Sequence, residues 1–293
     1  MNFSIKAPLQ LIVSIAVLML GITTLTQAAE LPRQEAVPGG IAVIELDEAG
    51  EQPPSVSYRD KPVMVIRQQD RWHALVGIPL SAESGEHLIQ VKTAGHNNSY
   101  RFQVSDKAYE TQHITIKDKR KVTPNAEDLK RIRAESRQIS AALAHWDATL
   151  YADSLLLDLP ADGPLSSPFG LRRFFNELPR KPHSGIDIAA PQGAPISAPA
   201  RGKVILTGEF FFNGKSVFLD HGQGLITMYC HMDSIDVTQG QTVKRGQQIG
   251  TIGMTGRVTG PHLHWSVSLN DARVDPNLIV PALQTAAGAT PGM

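Results

Sequence analysis

The sequence predicts a mainly β protein in three parts: an N-terminal antiparallel β-sandwich, a helical connector, and a second β-rich body that carries the chemistry. Three observations predict it. Short apolar runs of strand length recur between turn residues. The 24 glycines and 20 prolines favour many tight turns over long helices. One stretch, residues 117–147, switches to apolar spacings of three and four. The 293 residues suffice for one large core or two modest ones. With 28 basic and 28 acidic residues there is no cationic excess, so a nucleic-acid partner is not expected. A hydrophobic content of 42% with 19% charged residues excludes wholesale disorder. Cys230, the single cysteine, can make no internal disulfide and rules out a thiolate metal cluster.

Residues 1–29 read as a secretory signal peptide. Lys6 precedes the apolar stretch Leu9–Leu20, and Thr26-Gln27-Ala28-Ala29 offers small residues for cleavage after Ala28 or Ala29. The apolar run is shorter than the roughly 20 residues that span a bilayer, so no membrane span is expected after cleavage. The expected location is outside the cytoplasm, a periplasm before a secreted or anchored state.

Residues 30–118 supply the sandwich. Its expected strands are Ile41–Leu46, Pro62–Ile66, Trp72–Ile78, His87–Val91, Tyr100–Val104 and His113–Ile116, separated by turn chemistry such as Gly39-Gly40 and Pro53-Pro54. His73, His87, His96 and His113 lack metal-ligand spacing and read as strand or surface residues.

Residues 119–150 form the connector. Leu129, Ile132, Ile139, Ala142, Leu143 and Trp146 make one helical stripe, with Thr123-Pro124 as its start. Residues 117–137 hold eight basic and four acidic side chains, a pattern read as a solvated face. The stripe must pack on one or both neighbouring bodies.

Residues 151–285 form the second β-rich body, and 286–293 a tail. Three fragments stand out in it: His183-Ser-Gly-Ile-Asp187, Tyr229-Cys-His231 and His262-Leu-His264. A hydrolytic zinc site needs three ligands from His and carboxylate, with a fourth position open for water. Gly185 lets the chain bend so that His183 and Asp187 both point inward. In a strand, His262 and His264 share one face and Leu263 takes the other. The same alternation places Thr227, Tyr229 and His231 together, with Ile226, Met228 and Cys230 turned inward. Four histidines and one aspartate exceed the three ligands required, leaving two imidazoles for proton transfer or oxyanion stabilisation. Tyr229 either hydrogen-bonds near this site or fills its strand face. Arg172 and Arg173 either hold a substrate carboxylate or lie in a solvated loop. His221, between turn formers, reads as a hairpin residue, and Cys230 as a small buried hydrophobe.

The order His-x-x-x-Asp, a strand His, then His-x-His resembles the lysostaphin/LytM-type zinc metallopeptidases, the family of the duplicated hybrid motif. Ser167–Arg172, Pro182–Ala190, Asp220–Gly224, Val243–Gly250 and Thr255–Trp265 are similar as well. The resemblance covers residues 160–280 and implies a sandwich-barrel hybrid, LytM-like fold. It implies that His183, Asp187 and His264 bind Zn2+, and that His231 and His262 are the catalytic pair. It further implies hydrolysis of the peptide crosslinks between the peptide stems of bacterial peptidoglycan. From the residues themselves, Tyr229 and Arg172 are the candidate substrate contacts. A catalytically silent relative that activates another cell-wall hydrolase is the alternative, and a regulatory protein partner stays open.

Overall fold

The computed structural model describes residues 30–47 and 50–288. The expected signal peptide and the last five residues of the expected tail lie outside them. The N-terminal half contains β1 (Ile41–Leu46), β2 (Ser55–Tyr58), β3 (Lys61–Pro62), β4 (Met64–Gln68), β5 (Arg71–Gly77), β6 (Gly85–Lys92), β7 (Asn97–Val104) and β8 (Thr111–Ile114). Helices α1 (Lys119–Val122) and α2 (Ala126–Leu143) follow. Next come β9 (Leu165–Ser167), β10 (Arg172–Phe175), β11 (Leu178–Pro179), β12 (Ile186–Ala189), β13 (Pro195–Ser197) and β14 (Gly202–Phe210). The chain ends with β15 (Gly214–Asp220), β16 (Leu225–Ile235), β17 (Thr242–Val243), β18 (Gln248–Ile252), β19 (His262–Leu269), β20 (Ala272–Val274) and α3 (Pro281–Gly288). Among the described residues no helix is long and apolar enough to cross a membrane.

The sandwich pairs β1-β5-β4 against β3-β2-β6-β7. Its first sheet is buried on both faces, which explains why those strands read as nearly continuous apolar runs. Ala42, Val65, Ala74 and Val76 point into the sandwich core with Ile89 and Val91. The alternate residues Ile41, Met64, Ile66 and Leu75 join a second core with Phe169, Trp265, Val267 and Leu269 of the C-terminal half. By contrast β6 alternates buried and exposed positions, leaving its outer face to solvent.

Three expectations are corrected here. The run His113–Ile116 does not belong to the sandwich: β8 leaves it and pairs in parallel with β10, Gln112 opposite Arg173. Asn176 fixes this crossing by accepting from the Ile116 N–H at 2.8 Å and donating to the Ile116 carbonyl at 3.1 Å. The connector helix starts at Ala126 rather than at Thr123-Pro124. Asn125 is the N-cap, its side chain accepting from the Asp128 N–H while the Asp128 carboxylate accepts from the Asn125 N–H. Asp128 also takes a bidentate pair from Arg120 at 2.6 and 2.7 Å, which ties α1 to α2. Trp146 falls beyond the helix. Leu143 at its end packs with Ile139 and Ala142 on Phe210, Phe218, Ile226, Met228 and Cys230.

The C-terminal half is a ten-stranded sheet with the path β17-β14-β15-β16-β19-β12-β9. Strand β19 lies at its centre between β16 and β12, so residues facing one another across these three strands share a face. The halves are joined at the hairpin Asn270-Asp271, whose two positive φ angles match a type I′ turn. The Asn270 carboxamide accepts from Gly77 N–H at 2.7 Å and donates to the Gly77 carbonyl at 3.0 Å, in a buried position. Asn270→Ala strands both Gly77 backbone groups away from water. It should lower the free energy of unfolding by about 2–4 kcal/mol, as read by urea denaturation.

Candidate metal centre

The antiparallel register places Asp187 opposite His264 and His264 opposite Cys230, so one sheet face carries all three. His262, two residues earlier on β19, shares that face, while Leu263 and Trp265 point into the core at 0% exposure. His183 enters from the segment before β12, where Gly185 makes the approach. A Cβ at Gly185 would lie 2.3 Å from the Trp265 carbonyl and 2.6 Å from Ser266 Oγ. Gly185 is thus required by close approach of two backbones rather than by a left-handed bend.

Three donor atoms converge. His183 Nε2 lies 3.0 Å from Asp187 Oδ1, His264 Nδ1 lies 2.8 Å from the same oxygen, and the two nitrogens are 3.0 Å apart. His183 Nδ1–H donates to the Pro168 carbonyl at 2.7 Å, so the Nε2 of the neutral ring is an acceptor facing a carboxylate oxygen. Facing lone pairs repel unless a cation lies between them. Donors around a four-coordinate zinc ion stand about 3.3 Å apart given bond lengths near 2.0–2.1 Å. The cluster therefore fits such an ion in donor type and spacing.

The surroundings hold these donors in place. Arg173 Nη2 donates to Asp187 Oδ2 at 2.7 Å and to Ser167 Oγ at 2.9 Å, and Arg173 Nε donates to Gln112 Oε1 at 3.2 Å. His264 Nε2 meets Ser266 Oγ at 3.0 Å. Burial pushes the Asp187 carboxyl up, but the close approach of the His183 and His264 rings outweighs it and holds the group well below the usual carboxylate range. Burial lowers His264 to about 4. Burial lowers His231 to about 3, helped by His262 and His264. These imidazoles are neutral, the form that binds metal or accepts a proton.

His231 and His262 flank the cluster with ring centroids 4.9 Å apart. Each has its Nδ1–H tied to a carbonyl, Thr255 at 2.8 Å and Gly260 at 2.9 Å, which leaves Nε2 as the basic nitrogen. His231 reaches this position through a β-bulge. Its φ is +65°, and the register with β15 shifts between Lys215 and Val217. The bulge overturns the expected alternation on β16. Tyr229 lies opposite Trp265 on the core face, fully buried, with its hydroxyl 2.9 Å from Thr227 Oγ1. It is inaccessible to substrate. Cys230 instead sits on the metal-centre face beside His264, with burial raising its thiol to about 11. Arg172 is exposed and takes the opposite side of β10 from Arg173, so the second arginine, not the first, reaches the centre. Both were legible as a pair, but strand parity, set by β8, chooses between them.

His221 lies in the β15–β16 hairpin turn, as its neighbours predict, and is fully buried there. Its Nδ1–H donates to the Arg201 carbonyl at 2.9 Å, and Nε2 meets Thr227 Oγ1 at 2.8 Å, extending a buried polar chain to Tyr229.

A groove of about 700 Å³ opens onto the cluster, walled on one side by α2 through Ile132, Ser136 and Ile139, and on the other by His231, His264 and Met228. A two-imidazole, one-carboxylate cluster with two further imidazoles, open to a groove on a β-sheet, defines a metallopeptidase class of protein. The chain belongs to peptidase family M23. Residues 181–276 match Peptidase family M23, and residues 34–107 match the Peptidase family M23 N-terminal domain. A crystal structure from Pseudomonas aeruginosa, described as a candidate peptidase M23, is 49% identical with a TM-score of 0.72 and covers 84% of this chain and 95% of that one. Among curated relatives, the peptidoglycan DD-endopeptidase ShyA of Vibrio cholerae is 39% identical over 157 residues, which is 50% of this chain and 36% of the relative. The DD-carboxypeptidase/endopeptidase Mpg of Neisseria meningitidis is 41% identical over 112 residues, 38% of this chain and 26% of the relative. The matched segments thus span about a quarter to a third of those relatives.

Burial lowers His221 to about 4, against about 6.5 when unfolded. The unfolded chain then binds a proton between pH 6.5 and 4 that the folded chain refuses, so stability falls as pH drops through that window. His221 should account for about 3 kcal/mol of this loss. His221→Gln should flatten the unfolding free energy between pH 7 and 4.5 by that order, measured by urea titration at each pH.

Proposed function

We propose that the chain is an exported zinc metalloendopeptidase that hydrolyses D,D peptide crosslinks of peptidoglycan. The observation that carries this reading is the acceptor cluster of His183, Asp187 and His264 beside two imidazoles with basic Nε2 atoms. Family membership and the names of the curated relatives support the substrate class. The apolar leader of residues 1–29 supports export to the compartment where that polymer lies. The silent-activator reading is not favoured, because all three donors and both flanking imidazoles are in place.

His183, Asp187 and His264 would hold the zinc, which when bound supplies Lewis acidity and lowers the pKa of a water to about 7. Arg173 orients the Asp187 carboxylate through Oδ2 and leaves Oδ1 for the ion. His231 Nε2 takes a proton from the attacking water and returns it to the leaving amine. His262 steadies the oxyanion formed at the scissile carbonyl when its Nε2 carries a proton and donates to that oxygen. The Nδ1–H bonds to carbonyls hold both rings with Nε2 turned to the site and give His231 the basic Nε2 that its role requires. No covalent bond to the chain forms.

Elemental analysis of the purified chain should find about one zinc per molecule. Crosslinked muropeptide dimers should be converted to monomers, and a chelator should stop this. Zinc-free protein that cleaves nothing would overturn the reading. His183→Ala and Asp187→Ala should lose the zinc. His231→Ala should keep it and lose roughly 10²–10⁴ in kcat. Arg173→Gln should weaken zinc affinity about 10–100-fold in a competitive chelator titration, as expected for a group that orients a ligand.

A further inference from the structure

The groove carries five cations, Arg173, Arg180, Lys181, Arg257 and Arg273, and among the described residues no Asp or Glu lines it. Three of the arginines have oxygen acceptors. Arg173 is bound to Asp187 and Ser167. Arg180 Nη2 donates to the Val122 carbonyl at 2.8 Å. Arg257 lies between the rings of Phe175 and Phe212, 4.5 and 4.3 Å from their centroids, and donates to the Lys121 carbonyl at 3.4 Å.

Arg273 differs. Among the described residues its Nη2 meets only the thioether of Met228, at 4.0 Å, so that it has no oxygen acceptor, and its Nε, like that of Arg180, is buried without a hydrogen-bond partner. Asp271, two residues away, is engaged by Lys61 at 3.0 Å. Across the β19–β20 pairing Arg273 stands opposite Ser268, whose buried Oγ is likewise without a partner. Strand alternation puts Ser268 and Ser266 on the face of His264, so Arg273 belongs to the floor that runs out from the metal centre. Met228 and Cys230, against which Arg273 packs, are the β16 residues paired with Ser266 and His264. A guanidinium partly withdrawn from water, with its Nε sealed off and no oxygen acceptor beside it, is a costly arrangement, and an incoming anion relieves it.

We propose that Arg273 is a specificity-determining residue that receives a free carboxylate of the peptide stem close to the scissile amide. The planar fork of Arg matches a carboxylate in a bidentate pair, which Lys cannot reproduce. This deepens the reading given above and rests on it. The substrate class it names is a crosslink whose amine side carries an acid group, as in a D-Ala–diaminopimelate bond. A glycine bridge has no such group.

The test uses the zinc-loaded full chain and two crosslinked muropeptide dimers, alike except that the diaminopimelate carboxylate is free in one and amidated in the other. The wild type should favour the free acid by at least tenfold in kcat/KM. R273Q should remove that preference, mainly by raising KM for the free acid, with zinc content unchanged, and R273K should restore it in part. Equal wild-type rates on the two dimers would overturn the proposal while leaving the peptidase reading intact. So would an R273Q defect of the same size on both dimers. Should R273Q not fold, the wild-type comparison decides alone. Hydrolysis of neither dimer would overturn the peptidase reading and this subsite with it.

Discussion

The site depends on how the two oxygens of the Asp187 carboxylate are divided. Oδ1 is shared between His183 and His264, and Oδ2 is taken by Arg173. Each neighbour therefore restrains one degree of freedom of the same group. The arginine fixes the carboxylate plane, and the two imidazoles fix where the free oxygen points. The restraint extends outward through Gln112 on β8, which holds the Arg173 Nε. A residue of the N-terminal half thus helps set the orientation of a donor in the C-terminal half. The parallel pairing of β8 with β10 thus gives Arg173 an outer support in addition to Ser167.

Central-strand position supplies the rest of the rigidity. Strand β19 is hydrogen-bonded on both sides, to β12 and β16, and its core face bears Leu263, Trp265 and Val267 at 0% exposure. Moving His264 by a fraction of an ångström would disturb a close-packed interior. His231 is the exception, because it sits at a bulge in the left-handed region of φ. Such a conformation persists where surrounding contacts over-determine it. Here they are its N–H to the Asn213 carbonyl and its Nδ1–H to Thr255. The bulge turns His231 onto the same side as Cys230, where simple alternation would have sent it into the core beside Tyr229.

That exception marks the boundary of what the amino-acid order discloses. His-x-x-x-Asp and His-x-His are legible because they depend on local spacing alone, one on a close-approach glycine and the other on strand period. The three-part β organisation is legible for the same reason, since its apolar runs and turns are local. Tyr229 is misplaced because a bulge is decided by partners 18 and 24 residues distant in sequence, with nothing unusual at positions 229–231 to announce it. Arg172 and Arg173 are adjacent and chemically identical, so their assignment needs the parity of β10. His221 reads as a turn residue from its Asp and Gly neighbours. Its burial follows from Thr149–Ala152 crossing over it, with Tyr151 and Ala152 donating to its carbonyl.

The charge balance of the chain hides a local imbalance of the same physical origin. Equal numbers of acids and bases over 293 residues exclude a globally cationic partner surface. They do not fix where the charges lie. Helix α2 brings Leu129, Ile132 and Ile139 over the groove, while Arg131 and Glu135 turn to the rim, where Glu135 accepts from the Phe211 N–H and Arg131 donates to the Glu209 carbonyl. The helix thereby lowers the local dielectric above a floor whose cations have few carboxylates to face. Coulomb interactions strengthen in such a place. Burial, with Arg180 and Arg173 nearby, pulls the Arg257 guanidinium down to about 10. A groove built this way favours a chain that brings its own carboxylates over one that brings lysines or arginines. The folding of a polar connector over one sheet face thus converts a neutral composition into a selective electrostatic surface.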